Sequence, residues 1–361
     1  MPEGLRHFNK TRNRLILPKP LFGKPYGRVR APAGFRLAKM AACRHTKVMN
    51  MTPHTDRIAL GMVLILGFCL TAPLLDVCAK LAAEVIPVGQ ITAARFVVQT
   101  VLMLPVCLMM GLSLGMPRAL WGLITLRAVL LILSTYFIFA ALRFMPLADA
   151  LAIVFVEPFI VLLCGKLMFG EQVGPRRLAA SAVGFGGCLL VIQPSFMAFG
   201  SVALLPLGTA VAFAAYVLVT RGLRGRMHPV EMQFQTALIA TIMLVPLIWL
   251  ANGRGDDTAW ASLDPVWPQG IFWVYLIGVG IFASAAHMMM TYALNVAPAA
   301  SLAPLHYLEI ITAAVLGFYI FDDIPNGLAL CGIAIIMASG LYLVHRERVT
   351  SRNITHMPGP V

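Results

Sequence analysis

Charge is scarce in this chain. Asp, Glu, Lys and Arg together make up 12% of its 361 residues, where a soluble globular protein carries about 25%. A water-facing surface to match that length is excluded. Cysteine is sparse and unpatterned: Cys43, Cys69, Cys78, Cys107, Cys164, Cys188 and Cys331 are odd in number and show no CxxC or metal-ligand spacing. That argues against a disulfide framework and a metal centre, and leaves them as small apolar packing residues. No GxxxxGK[ST] loop is present, so an ATP-driven pump would need a partner to supply its nucleotide domain. Neither HExxH nor a serine–histidine–aspartate set stands out, and the connections are too short to build a reaction site at a headgroup surface. A polytopic membrane enzyme is therefore a rival reading rather than the first one. No cofactor, no metal and no nucleic-acid partner is expected.

What the chain has in quantity is apolar sequence. Hydrophobic residues are 59% of it and the mean hydropathy is +0.83. Ten runs reach the roughly 17–25 residues that a helix needs to cross a bilayer: about 58–79, 90–110, 119–142, 147–168, 178–194, 202–220, 230–251, 270–293, 298–321 and 327–344. A membrane β-barrel would show alternating segments of about ten residues, whereas these runs are continuous. The fold class is all-α integral membrane, with lipid as its surroundings.

The net charge of +13 belongs mostly to a tail. Residues 1–50 hold twelve Lys and Arg against one acid, Glu3, and so contribute +11. This stretch is rich in Pro and Gly and lacks an apolar core, so residues 1–57 are expected to be disordered. Three readings stay open: an arm on anionic headgroups, an organellar transit segment, or a true start of synthesis at Met49 or Met51. In the rest of the chain, alternate connections and the C-terminal tail carry Arg118, Arg176, Arg177, Arg221, Arg224, Arg226, Arg346, Arg348 and Arg352. The intervening ones carry Arg143 and Arg254. Cytoplasmic loops hold the Lys/Arg excess, so both termini are expected in the cytoplasm, residues 346–361 forming a cytoplasmic tail.

The chain also repeats itself. Displaced by 152 residues, 141–171 falls on 293–323, and Ala141, Leu142, Pro146, Ala148, Glu157, Gly165 and Phe169 each meet an identical residue. The rare types carry the weight: Pro146 on Pro298, and Glu157 on Glu309. A five-helix period inserts the two halves, 58–194 and 202–345, with opposite orientation. Inverted repeats are a plan of secondary transporters, whose substrate site lies near the midplane.

Ten helices in two halves, "ARFVV" (94–98) and "FVEPFIVLLCGKLMFGE" (155–171) together resemble the EamA-type transporters of the drug/metabolite transporter superfamily, across about 58–345. The resemblance implies a ten-helix carrier of the bacterial inner membrane, with Arg95 and Gly170-Glu171 matching recurrent family positions. The second half departs from the pattern at Asp322-Asp323 and Ile310. "HYLEIITAAVLGFYIFDDIP" (306–325) and "VGFGGCLLVIQP" (183–194) are similar to bacterial uptake carriers for riboflavin and S-adenosylmethionine. Riboflavin uptake is the first expectation, S-adenosylmethionine uptake the second, amino-acid or metabolite efflux the third.

A charge at mid-bilayer costs at least about 2.5–3.5 kcal/mol, so Glu157 and Glu309 are expected to face a shared chamber lined by helices 1–4 and 6–9. Pro158 removes a helical N–H bond and frees a carbonyl upstream. His306, three residues before Glu309, shares its helical face, and a proton shared by that pair would couple transport to protonation; uniport would tolerate the pair as a static bond. Arg95 is expected at the site or an external gate. Asp76 is a substrate candidate too, although pairing with Lys80 four residues on explains it equally. Tyr136, Phe155, Tyr216, Tyr292 and Tyr307 would suit a flat ring system. Arg127 and Lys166 are expected to reach headgroups, Arg143, Asp149 and Glu171 to cap or pair at helix ends, and His287 with Met288–Met290 to pack. The glycines of "GFGG" (184–187) and "GLALCGIAIIMASG" (327–340) let helices 5 and 10 approach closely as a scaffold.

Overall fold

The computed structural model describes residues 55–169, 174–255, 260–297, 302–323 and 327–355. The basic tail, Gly170-Glu171 and Tyr307's side chain lie outside the described residues, as do the side chains of Lys166, Arg176 and Arg177.

Among the described residues there is no strand. The α-helices are α1 (Thr55–Ala82), α2 (Val88–Met109), α3 (Trp121–Leu142), α4 (Leu147–Val154), α5 (Glu157–Phe169), α6 (Pro175–Phe199), α7 (Leu205–Gly222), α8 (Pro229–Ala251), α9 (Phe272–Val296), α10 (Glu309–Phe321) and α11 (Gly327–Thr355). Seven stretches are long and apolar enough to span a bilayer, and α10 and the Gly327–Tyr342 part of α11 are shorter apolar helices. The 45-residue stretch Leu178–Gly222 is two crossings, because Gly200 breaks it at φ +62° and a 3₁₀ turn, Gly200–Leu204, restarts the chain as α7. Ten crossings result among the described residues. Large apolar side chains such as Val63, Leu70, Val101, Trp249 and Val274 point outward, as lipid-facing positions do.

Two crossings are broken in the middle. The fourth is α4 followed, after Phe155 and Val156, by α5. Pro158 explains the break: it has no N–H for the carbonyl four residues back, that of Val154, the last residue of α4, and its ring crowds that carbonyl. The ninth has no proline at the matching place. There the chain winds as a tight 3₁₀ turn, Ala303–Leu308, with Pro304 near its start, and becomes α-helical at Glu309. Both glutamates are thus the first residue of the second half-helix.

The packing obeys the repeat. The first crossing of one half packs on the third of the other in both senses, α1 on α9 and α3 on α7. The second crossings meet as α2 on α8 and the fifth as α6 on α11. These pairings are what a pseudo-twofold exchange of the halves produces. In the last pair a Cβ on Gly187 would lie 2.9 Å from the Gly332 carbonyl oxygen, and one on Gly332 2.6 Å from that of Gly187. The backbones touch, and only glycine at both positions permits it.

Candidate functional site

Between the halves lies a cavity, and every crossing lines it except the fifth, seventh and tenth. The expectation that helices 1–4 and 6–9 line it is corrected at the seventh, α8, which stands behind α2 and gives the cavity no side chain. Phe68, Ala72, Leu75 and Asp76 of α1, and Leu131, Ser134, Thr135, Ile138 and Phe139 of α3, reach it along single helical faces.

Glu157 and Glu309 both face this space, 5% and 9% exposed. Each is the first residue of a half-helix, where the helix dipole is positive and favours a carboxylate. Asp76 joins them and does not pair with Lys80, whose Nζ instead meets Asp323 Oδ2 at 2.6 Å. Sequence proximity misled here, because a residue 243 positions later comes closer than the one four away. His306 also lines the cavity, but among the described residues no hydrogen bond joins it to Glu309; its ring stacks on Phe68 at 5.2 Å. Arg95 is 1% exposed, and its Nη1 donates to Thr135.

The aromatic lining differs from expectation. Phe155 is on the wall, with Phe68, Phe139 and Phe213. Tyr136 is not; its hydroxyl bonds Ser262 Oγ at 2.8 Å. Tyr292 packs edge-on against His228, away from the cavity. Tyr216 is buried behind the wall, stacked on Phe213 at 5.4 Å. His287, expected to pack, lines the cavity with edges toward Phe213 and Phe68. The i, i+4 spacing from Phe68 through Ala72 to Asp76 was the signal available for Phe68; nothing in the sequence distinguished Phe213 or His287.

Arg127 is the largest correction. It reaches no headgroup: it is fully buried and ties α3 to three helices of the second half. Its Nε donates to Thr220 (2.8 Å), Nη1 to the Met232 carbonyl (3.4 Å) and Thr236, and Nη2 to the Tyr216 hydroxyl (2.7 Å), Gln233 Oε1 (3.1 Å) and Thr291 (3.3 Å). The guanidinium also lies 4.5 Å over the Tyr216 ring. Tyr216 stands 3.5 Å from His287 Nδ1, so the hub adjoins the cavity wall.

The ties between halves fall on two faces. The Arg127 hub lies toward the face bearing the α2–α3 and α7–α8 connections, the even face. On the odd face, the Lys80–Asp323 pair joins α1 to the end of α10, and the 252–271 connection is fastened to α2 by Gly89 N–H on the Ser262 carbonyl (2.9 Å) and by Gln90 on Val266.

Comparison with known proteins adds the family. The model of the EamA-like transporter family matches residues 59–193 and 200–345. A riboflavin transporter of Rhizobium johnstonii is 30% identical over 244 residues, 68% of this chain and 76% of that one. A pseudopaline exporter of Pseudomonas aeruginosa is 25% identical over 297 residues, 81% and 99% of the two chains. An S-adenosylmethionine uptake transporter of Rickettsia felis is 22% identical over 203 residues, 56% and 65%. A crystal structure 20% identical in sequence superposes with a TM-score of 0.61 over 81% of this chain and 99% of its own, which supports the fold alone.

Proposed function

The chain belongs to the EamA-like transporter family, and from that premise we propose that it is a bacterial inner-membrane carrier that takes up riboflavin by alternating access around the central cavity. One observation carries this reading. Both repeats break a helix at the same place and point the glutamate that follows into one aromatic-walled space between them. A neutral, planar ring system with a hydroxylated chain suits that lining, its rings against Phe68, Phe155 and Phe213 and its hydroxyls donating to carboxylates.

Three carboxylates around one small space repel each other unless a cation or a proton sits among them. With a neutral substrate the proton is the natural occupant, and we assign the coupling to Glu309, with His306 at the same wall; uniport is the outcome if uptake does not respond to a proton gradient. With a cationic substrate the acids would be matched directly. The excess of Asp76, Glu157 and Glu309 over Arg95 therefore favours S-adenosylmethionine as the second reading. The loop arginines support the even face and both termini being cytoplasmic. Transport, not enzymatic turnover, is the activity proposed.

Proteoliposomes holding the purified protein test all of this together. Saturable, counterflow-stimulated flux of labelled riboflavin, with no product formed, is expected. Flux of S-adenosylmethionine alone would shift the substrate to the second reading; outward-only flux would make the chain an exporter; conversion of the compound would make it an enzyme.

A further inference from the structure

Arg95 is nine-tenths buried and more, its Nη1 is bonded to Thr135, yet its Nε and Nη2 have no partner. These two atoms are not scattered. They are the two donors of one edge of the planar guanidinium, the side-on fork that takes a bidentate acceptor. Arg95 lines the cavity, and Asp76, which lines it too, makes no ion pair with Arg95 within 4 Å. A buried cation with three of its five N–H donors, those of Nε and Nη2, unspent is costly to keep unless something occupies that edge during the working cycle.

We propose that the unspent fork of Arg95 anchors the substrate, and that the transported molecule carries two adjacent acceptors on one edge of a planar or carboxylate group. This rests on the cavity being the substrate site, and deepens it by naming the chemistry selected there. Thr135 orients the fork by holding Nη1, and the Phe96 ring under the guanidinium at 4.6 Å fixes its plane. The acceptor edge meets Arg95 on the α2–α3 side, while the aromatic body lies toward Phe68, Phe155 and Phe213. A carboxylate meets the requirement, and so does a ring carbonyl beside an imine nitrogen, which the isoalloxazine system presents as the N1/O2 and the N5/O4 edges. A lysine cannot replace the fork, since its ammonium is a single point rather than two parallel donors.

The test is competition between riboflavin and its 1-deaza and 5-deaza analogues, each of which lacks one ring nitrogen of such an edge, for uptake by wild type and R95K in proteoliposomes. In wild type, at least one analogue is expected to compete about tenfold or more weakly than riboflavin, the loss of one charge-assisted hydrogen bond. In R95K riboflavin uptake falls at least as far, and the difference between riboflavin and that analogue shrinks to about twofold. Wild type taking all three equally, or R95K keeping the discrimination, overturns the anchor. The wild-type comparison needs no variant, so it decides even where R95K does not insert. If wild type moves no riboflavin, the substrate reading fails separately, and S-adenosylmethionine against its decarboxylated analogue decides the fork in the same way. Equal handling of that pair, or of neither member, overturns it.

Discussion

At the even face a single arginine, wholly buried, holds three helices of the opposite repeat through neutral acceptors. At the odd face an ion pair whose side chains are 16% and 21% exposed does the joining, helped by a fastened connection. The two ties differ in what release requires. Lys80 and Asp323 are half-buried and already within reach of water, so they separate at less cost than a wholly buried cation. Arg127 can leave only if water replaces six acceptors at once, because an uncompensated buried cation costs several kcal/mol. The alternating access proposed above needs both ties to be breakable, and under it the contrast makes the even face the harder to open. Occupancy of the cavity has a physical route to that harder tie, through His287 on the wall and Tyr216 beside Arg127.

The contrast breaks most visibly at Arg127. Arg127→Met leaves the acceptors of Thr220, Tyr216, Gln233, Thr236 and Thr291 facing an apolar side chain. Each buried polar group left unpaired costs about 1–3 kcal/mol, so thermal unfolding in detergent is expected to fall by several degrees and uptake to be lost. Arg127→Lys is expected to recover only part of either, one ammonium being unable to span three helices. Wild-type stability and uptake in Arg127→Met would remove the even-face hub from the account.

Midway between the ties, Glu309→Gln is expected to reduce uptake about tenfold, on the order of one charge-assisted hydrogen bond, and to flatten its dependence on pH, because an amide cannot take up a proton. A variant with full and still pH-dependent uptake would detach coupling from Glu309. Glu157→Gln, measured beside it, shows whether the repeats share the work: the proline-made break and the 3₁₀-made break are different structures, and an equal response in both would say that the difference does not matter.

The smallest effect is expected at the odd face. Lys80→Met and Asp323→Asn each should change stability by under about 1 kcal/mol and leave uptake within a few-fold of wild type, with the exchange Lys80→Asp, Asp323→Lys restoring it. A loss as large as that of Arg127→Met would make the two faces equivalent and cancel the comparison.

Much of the architecture was legible because membrane helices announce themselves by length. The five-helix period was legible because Pro146 with Pro298 and Glu157 with Glu309 are rare types in an apolar background. The close contact of α6 and α11 was legible in their glycines, since only small residues let backbones touch. The charged part of the cavity lining was legible as far as Glu157, Glu309, Asp76 and Arg95, as an ionisable group in lipid needs a polar place to face. Arg127 was misread because an arginine within two turns of a helix end looks like one that reaches the headgroups, and its partners come from α7, α8 and α9. The aromatic wall was hidden for another reason: these helices are apolar on all sides, so periodicity cannot separate a ring that faces the cavity from one that faces a neighbour. The break before Glu309 carried no proline at the matching position, and only the winding of Ala303–Leu308 reveals it.

One measurement bears most directly on the cavity as the place where substrate sits: equilibrium binding of labelled riboflavin to purified protein in nanodiscs, wild type beside Ala72→Trp and Val101→Trp. Ala72 lines the cavity and Val101 points outward, 63% exposed, so one indole fills the space and the other only meets lipid. Abolished saturable binding in Ala72→Trp, with Val101→Trp binding as wild type and both unfolding near the wild-type temperature, is the expected result. Unchanged binding in Ala72→Trp would contradict it.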